Sequence, residues 1–149
     1  MSTTVLKFQE GKGRKIAFYP TGHGFGHSTR VIEILRHLSP ETEIHIKTSV
    51  PEWLYRLDLE RPFQFHDLHH GVGCYQVDSL EVSARGTLIA FAQLWDERDE
   101  IIEKEVKFLH ENGVNLVVAD ISPLACRIAD AAGIPSVVVA NFAWNWIYE

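Results

Sequence analysis

The sequence predicts a doubly wound α/β domain built on a parallel sheet, and three observations carry that expectation. Short apolar runs alternate with amphipathic stretches about five times along the 149 residues. Most of the runs are continuously apolar, as strands covered by helices on both faces require. Glycine, proline and asparagine mark the boundaries between runs and stretches.

A polar leader, residues 1–14, precedes the domain expected over residues 15–149. Lys15 to Pro20 reads as a short buried strand with a proline at its exit. Thr21 to His27 carry Gly22, Gly24 and Gly26 and are expected to form a loop. Ser28 or Thr29 stands where a helix cap is needed, and Val31, Ile32, Ile34, Leu35 and Leu38 recur at helical spacing up to Ser39-Pro40. Glu43 to Lys47 alternates like a strand. Pro51 suits the first turn of a short helix with Trp53, Leu54 and Leu57. Phe63 to His66 reads as a third strand, and His69 to Gln76 as a loop without period.

Asp78 to Asn112 is mostly helical, with a break expected around Arg85-Gly86-Thr87. Its amphipathic second part, Leu88 to His110, stops at Asn112-Gly113. Asn115 to Asp120 is a strand ending in an acid. Pro123 opens a helix through Ala132 that Gly133 terminates, and Ser136 to Ala140 is the fifth strand. Ala143 to Glu149 reads as the opening of a further helix, cut short. Together these elements predict a Rossmann-like domain.

Composition narrows the partners. Hydrophobic residues make up 46% of the chain and charged residues 23%, the balance of a soluble globular domain. A domain of this length buries roughly two thirds of its unfolded surface, so its core needs neither disulfide nor metal. The formal net charge of -6 argues against nucleic acid, whose phosphates demand dense basic contacts. Lys12-Gly13-Arg14-Lys15 is too short to supply them. Cys74 and Cys126 read as reduced thiols. With no signal-like or bilayer-spanning stretch, the expected location is the cytoplasm.

In an open α/β sheet, ligands collect beyond the carboxyl ends of the strands. Two loops belong there, residues 21–30 and residues 119–123. A dinucleotide fingerprint fails, because its third glycine falls at His27 and the second strand ends in Lys47-Thr48 without the ribose-binding acid. A phosphate loop fails for want of Gly-Lys-Ser/Thr. What distinguishes the first loop is His23 and His27. At a helix start the dipole disfavours a charged imidazole, and a neutral His27 is suited to general-base work. Asp120, leaving a strand expected nearby, can hold its tautomer. Structural readings stand beside these: His27 can fix the turn through a carbonyl, and Asp120 can cap the helix at Pro123. His23 and His27 lack the glutamate of a zinc helix. His66, His69 and His70 read as a polar loop, and Trp53, Trp95, Trp144 and Trp146 as core or interface residues.

Thr21-Gly22-His23-Gly24-Phe25-Gly26-His27, followed by Ser28-Thr29-Arg30 and an apolar helix, resembles the first loop of GT-B glycosyltransferases. In particular it resembles the glycosyltransferase-like N-terminal region of plant L-arabinokinases and related bacterial proteins. Val118 to Cys126, Gly133 to Val137, Asn141 to Trp144 and Ile147-Tyr148 resemble the same region in the same order. The resemblance implies the N-terminal half of a GT-B architecture, facing a small-molecule or glycan acceptor, with a second, donor-binding domain outside this chain. It implies an inverting transfer from a nucleotide sugar, a UDP-sugar as co-substrate, with no other cofactor and no metal. His27 matches the general base and Asp120 its support. Gly22, His23, Gly24, Phe25, Gly26, Arg30 and Asn141 are then expected at the acceptor or ligand site, beside the loop from His69 to Gln76. The chain alone is expected to be inactive and to self-associate through the domain seam near Trp144 and Trp146. No sugar-kinase motif is present. The same scaffold also suits a non-catalytic sugar- or nucleotide-sensing module, or half of a nucleotide-sugar epimerase.

Overall fold

The structure is a computed structural model that describes residues 13–78 and 80–141. Five parallel strands, β1 (Lys15–Pro20), β2 (Glu43–Thr48), β3 (Gln64–Asp67), β4 (Leu116–Asp120) and β5 (Ser136–Val139), form one sheet in the order β3-β2-β1-β4-β5. The helices between them are α1 (Phe25–Arg36), α2 (Glu52–Asp58), α3 (Ala84–Glu111) and α4 (Pro123–Ala131). The chain builds outward from β1 to β3, and α3 then returns it to β4 on the other side of β1. That reversal opens a crevice at the carboxyl ends of β1 and β4. The doubly wound α/β architecture is as the sequence predicts.

Successive side chains of a strand face opposite ways, and β1 shows how this makes two cores. Ile16 and Phe18 pack with Val31, Ile32 and Leu35 of α1 and with Leu54 and Tyr55 of α2. Ala17 and Tyr19 pack with Leu94 and Leu109 of α3 and with Leu124, Ala125 and Ile128 of α4. Each fully buried leucine or isoleucine contributes roughly 1.5–3 kcal/mol of burial free energy.

The alternation of β2 has a different cause from the usual half-exposed strand, because β2 is buried on both faces. Ile44 and Ile46 join the α1 side, while His45 and Lys47 are buried on the other. Lys47 Nζ donates to Glu105 Oε1 at 2.8 Å, and Tyr19 Oη donates to Glu105 Oε2 at 2.7 Å. The ammonium also lies 3.4 Å from the centre of the Phe108 ring. Burial lowers the Lys47 pKa against the pull of Glu105, and burial followed by Glu105 raises that of Tyr19. His45 stacks on His66 of β3, with Nδ1 and Nε2 3.2 Å apart. Burial lowers both pKa values, that of His66 to about 4. Two neutral rings can share one hydrogen bond there.

Two helix starts differ from expectation. The break around Arg85-Gly86-Thr87 does not occur. Ser83 Oγ accepts from the Gly86 amide at 3.0 Å, so Gly86 sits in the capped first turn of an unbroken α3. Before it, an antiparallel bridge joins Gln76 to Val82. Likewise α1 starts at Phe25, within the expected loop, and neither Ser28 nor Thr29 caps it. Gly24 stands at its N-cap with φ 76°, a conformation glycine adopts without a Cβ penalty. Ser28 is instead buried and accepts from Tyr55 Oη at 2.7 Å. The helix opening at Ala143, with Trp144 and Trp146 at the expected seam, lies outside the described residues. Among the described residues no helix is long and apolar enough to cross a membrane.

Breaking the Lys47–Glu105 pair on one side leaves a buried charge uncompensated. Glu105→Ala should cost about 3–5 kcal/mol in urea denaturation, and adding Lys47→Met should recover most of that loss. A loss below about 1 kcal/mol, the range of exposed pairs, would show that the pair does not anchor α3 to the sheet.

Candidate functional site

The last residues of β1 and β4 are paired, Pro20 with Asp120, so the segments leaving these strands rise side by side. After β1, the turn at Gly24 puts His27 in the first turn of α1. After β4, Ile121 adopts φ 58°. A β-branched residue takes up that left-handed conformation only where its surroundings hold it there. Beyond it Ser122 caps α4, its Oγ accepting from the Ala125 amide at 3.3 Å. Asp120 is therefore not the helix cap, and its carboxylate is free for other partners.

Those partners come from α1. Asp120 is fully buried, and its Oδ1 lies 3.0 Å from His27 Nδ1. Arg30, one turn further along α1, donates from Nη2 to Oδ1 and from Nε to Oδ2, the latter at 3.3 Å. Arg30 Nη1 donates to Asn141 Oδ1 at 3.0 Å. His27 Nδ1 also lies 3.3 Å from Arg30 Nη2. A guanidinium only donates and a carboxylate only accepts, so Nδ1 cannot serve both with one tautomer. We assign the ring proton to Nδ1, facing the closer carboxylate, which leaves the Nε2 lone pair free. The His27 side chain is 23% exposed and Asp120 0%, so this pair meets solvent only through the histidine.

An open cavity of about 460 Å³ adjoins the network, lined by His23, Gly26, His27, Arg30, Ile121 and Asn141. A second cavity of about 220 Å³, mostly apolar, shares His23 and Ile121 with the first. Of the residues expected at the site, His27, Arg30, Asp120 and Asn141 thus meet in one network, with His23 and Gly26 beside it. Arg30, expected to shape a pocket, also has its guanidinium committed to Asp120. Gly24 acts through its backbone turn. Gly22 passes Ser49 so closely that a Cβ would stand 2.0 Å from Ser49 Oγ, and it lines a separate hollow with residues 71–75. Phe25 lines none of these cavities; it is 51% exposed and packs edge-on against Trp53 at 5.8 Å.

The expected grouping of His66, His69 and His70 dissolves. His66 faces His45, His69 is exposed, and His70 is buried at the crevice floor. His70 Nε2 donates to the carbonyls of Pro20 and Lys47, each at 3.1 Å, and Ser122 Oγ donates to Nδ1 at 2.8 Å. One neutral ring so joins the ends of β1 and β2 to the start of α4. Burial holds its pKa down at about 4, against the raising effect of these carbonyls. Its sequence context, an aperiodic segment before Gly71, gives no signal of this role. Among the described residues, no three His, Cys, Asp or Glu side chains are grouped to hold a metal ion.

Residues 14–145 match the model of glycosyl transferase family 1. The chain belongs to this family. This glycosyl transferase family 1 domain is 39% identical over 135 residues to L-arabinokinase of Arabidopsis thaliana, covering 89% of this chain and 13% of the relative. A ugt transferase from Siraitia grosvenorii in complex with UDP has a TM-score of 0.50 at 14% identity, over 83% of this chain and 27% of the other. A Phytolacca americana UGT complexed with UDP-2-fluoro-glucose and pterostilbene has a TM-score of 0.53 at 14% identity, over 89% and 31%. The C-terminal domain of a Pyrococcus furiosus hydrogenase has 0.51 at 10% identity, over 89% and 95%. At such identities the likeness is one of fold, and the hydrogenase domain shows that this fold alone does not fix the chemistry. The chain spans less than a third of each glycosyltransferase and a smaller part of L-arabinokinase.

His70 makes stability depend on pH. Its ring protonates near 6.5 when unfolded and only near 4 when folded, so the unfolded chain takes up a proton first as pH falls. The stabilisation is complete above pH 6.5 and is lost progressively towards pH 4, about 3 kcal/mol in all. His66 adds to the same slope. In urea titrations across this window, His70→Gln should show a shallower fall than the parent protein; parallel profiles would refute the assignment.

Proposed function

We propose that this domain is the acceptor-side half of an inverting, nucleotide-sugar-dependent glycosyltransferase in which His27 is the general base. The observation that supports it most is the contact between His27 Nδ1 and the buried Asp120 carboxylate, with Nε2 left without a partner among the described residues. His27 also lines an open cavity, so a substrate hydroxyl has a place to approach it.

In this reading the acceptor hydroxyl donates to Nε2. As its oxygen attacks the anomeric carbon of the nucleotide sugar, its proton passes to Nε2. The bond from that carbon to the nucleoside diphosphate breaks on the opposite face, and the diphosphate leaves with the electron pair. Asp120 stabilises the transient imidazolium without taking the proton. Arg30 orients the carboxylate and offsets part of its charge. A UDP-sugar donor would be held chiefly by a second domain closing over the strand ends. The complexes of like-folded relatives with UDP and with UDP-2-fluoro-glucose support that choice of donor class. Cys74 and Cys126 are free thiols, in keeping with a reducing compartment.

The test is glycosyl transfer, followed by release of nucleoside diphosphate with the donor-binding half present. His27→Ala should lower kcat about a hundredfold or more, the usual scale for a lost general base. Unchanged turnover would contradict the reading.

A further inference from the structure

The apolar cavity that shares His23 and Ile121 with the His27 cleft is closed in by Val72 and Leu124 and by Phe91, Leu94 and Trp95 of α3. Phe91 and Trp95 lie one helical turn apart, and their rings stack with centroids 6.0 Å apart and planes 19° from parallel. They are 52% and 48% exposed, although most large apolar side chains of α3's far end are tucked against the sheet. An aromatic wall left open beside a cavity is apolar surface that a ligand can cover.

Two cations line this apolar space, and they differ. The Arg98 guanidinium lies 4.3 Å from the centre of the Trp95 ring, pairs with Asp99 at 3.2 Å and donates to the Trp95 carbonyl. Arg127 of α4 lines the same cavity and has no partner among the described residues. Arg61 donates only to backbone carbonyls and Arg85 also lacks a partner among the described residues, but neither lines this cavity, whereas Arg127 does.

We propose that this cavity holds the apolar body of the acceptor and that Arg127 reads a carboxylate on it, so that the acceptor is a hydroxylated aromatic acid. The inference rests on the reading of His27 as the base, since the acceptor's hydroxyl must reach Nε2 across the shared His23–Ile121 wall. Size limits the body. At about 220 Å³ the space falls below the roughly 300–1,000 Å³ of pockets for drug-sized ligands, which suits one or two fused rings. Ring chemistry matches the stacked Phe91–Trp95 wall, where a planar body gains offset or edge contacts. Charge selects a carboxylate over a phosphate dianion. One free guanidinium offers one planar fork, which two carboxylate oxygens satisfy, whereas a dianion would call for further donors.

Isothermal titration of the chain with 6-hydroxy-2-naphthoate and with 2-naphthol compares the same ring system with and without the carboxylate. The acid should bind about tenfold or more tightly, the scale of one hydrogen bond to a charged group. Arg127→Gln should erase that preference and leave the 2-naphthol affinity in place. Val72→Trp, which fills the cavity from the loop side, should weaken both ligands. Equal affinities, a preference that survives Arg127→Gln, or no binding by either probe would overturn the proposal. No donor or turnover enters this measurement. Loss of the preference therefore removes the acceptor class alone, while normal turnover in His27→Ala removes the catalytic reading and leaves the cavity's ligand class standing.

Discussion

A carboxylate with no access to water must be met by donors, and at Asp120 that requirement organises the whole carboxyl edge of the sheet. The donors arrive from the first two turns of α1, because His27 and Arg30 are three residues apart and share a helix face. Docking that turn against the end of β4 fixes how α1 leaves β1. Asn141, after β5, holds the far side of Arg30 and extends the tie to the next strand. The left-handed backbone at Ile121 is the conformational cost at this junction, and it lies between the buried acid and the Ser122 cap. An unpaired carboxylate here would be strongly destabilising, so the network is as much a condition of the fold as a feature of the site.

Two further polar devices hold the same edge and the face behind it. His70 reaches two carbonyls and a hydroxyl from three segments, and only a neutral imidazole with its proton on Nε2 can do so. Below it, Lys47, Glu105 and Tyr19 tie α3 to the sheet where an apolar contact would ordinarily stand. The crossover helix that returns the chain from β3 to β4 is thus fixed in position by charge as well as by Leu94 and Leu109. Since α3 also carries Phe91 and Trp95, this anchoring sets one wall of the apolar cavity.

Much of this was legible in the sequence, and the remainder was hidden for identifiable reasons. Lys15 to Pro20 and Asn115 to Asp120 are legible as strands, the second to within one residue of its start, because strands covered on both faces need little but apolar residues. His27 and Asp120 could be singled out because each ends or follows a strand, where ligands gather. The job of Arg30 could not, since its partner is 90 residues distant and only the pairing of β1 with β4 brings them together. The start of α1 was misplaced because its cap is a backbone conformation at Gly24 and not a side chain. Gly86 suggested a break in α3, yet in a first turn its amide is simply one of the donors that Ser83 satisfies. Because residues 25–27 are helical, their side chains fan around an axis, which turns Phe25 towards Trp53 while His27 faces Asp120. Nothing in residue type announces His70, and an isoleucine argues against the very conformation Ile121 adopts.

If Asp120 fixes the His27 tautomer, Nε2 carries a free lone pair. Long-range proton–nitrogen NMR spectra of the histidine rings above pH 7, assigned by loss of one ring's signals in His27→Gln, read that proton directly. The expected spectrum shows a protonated Nδ1 and an unprotonated Nε2 at His27. A proton on Nε2 would contradict this tautomer, because the ring would then have no lone pair to offer an acceptor hydroxyl in the cleft.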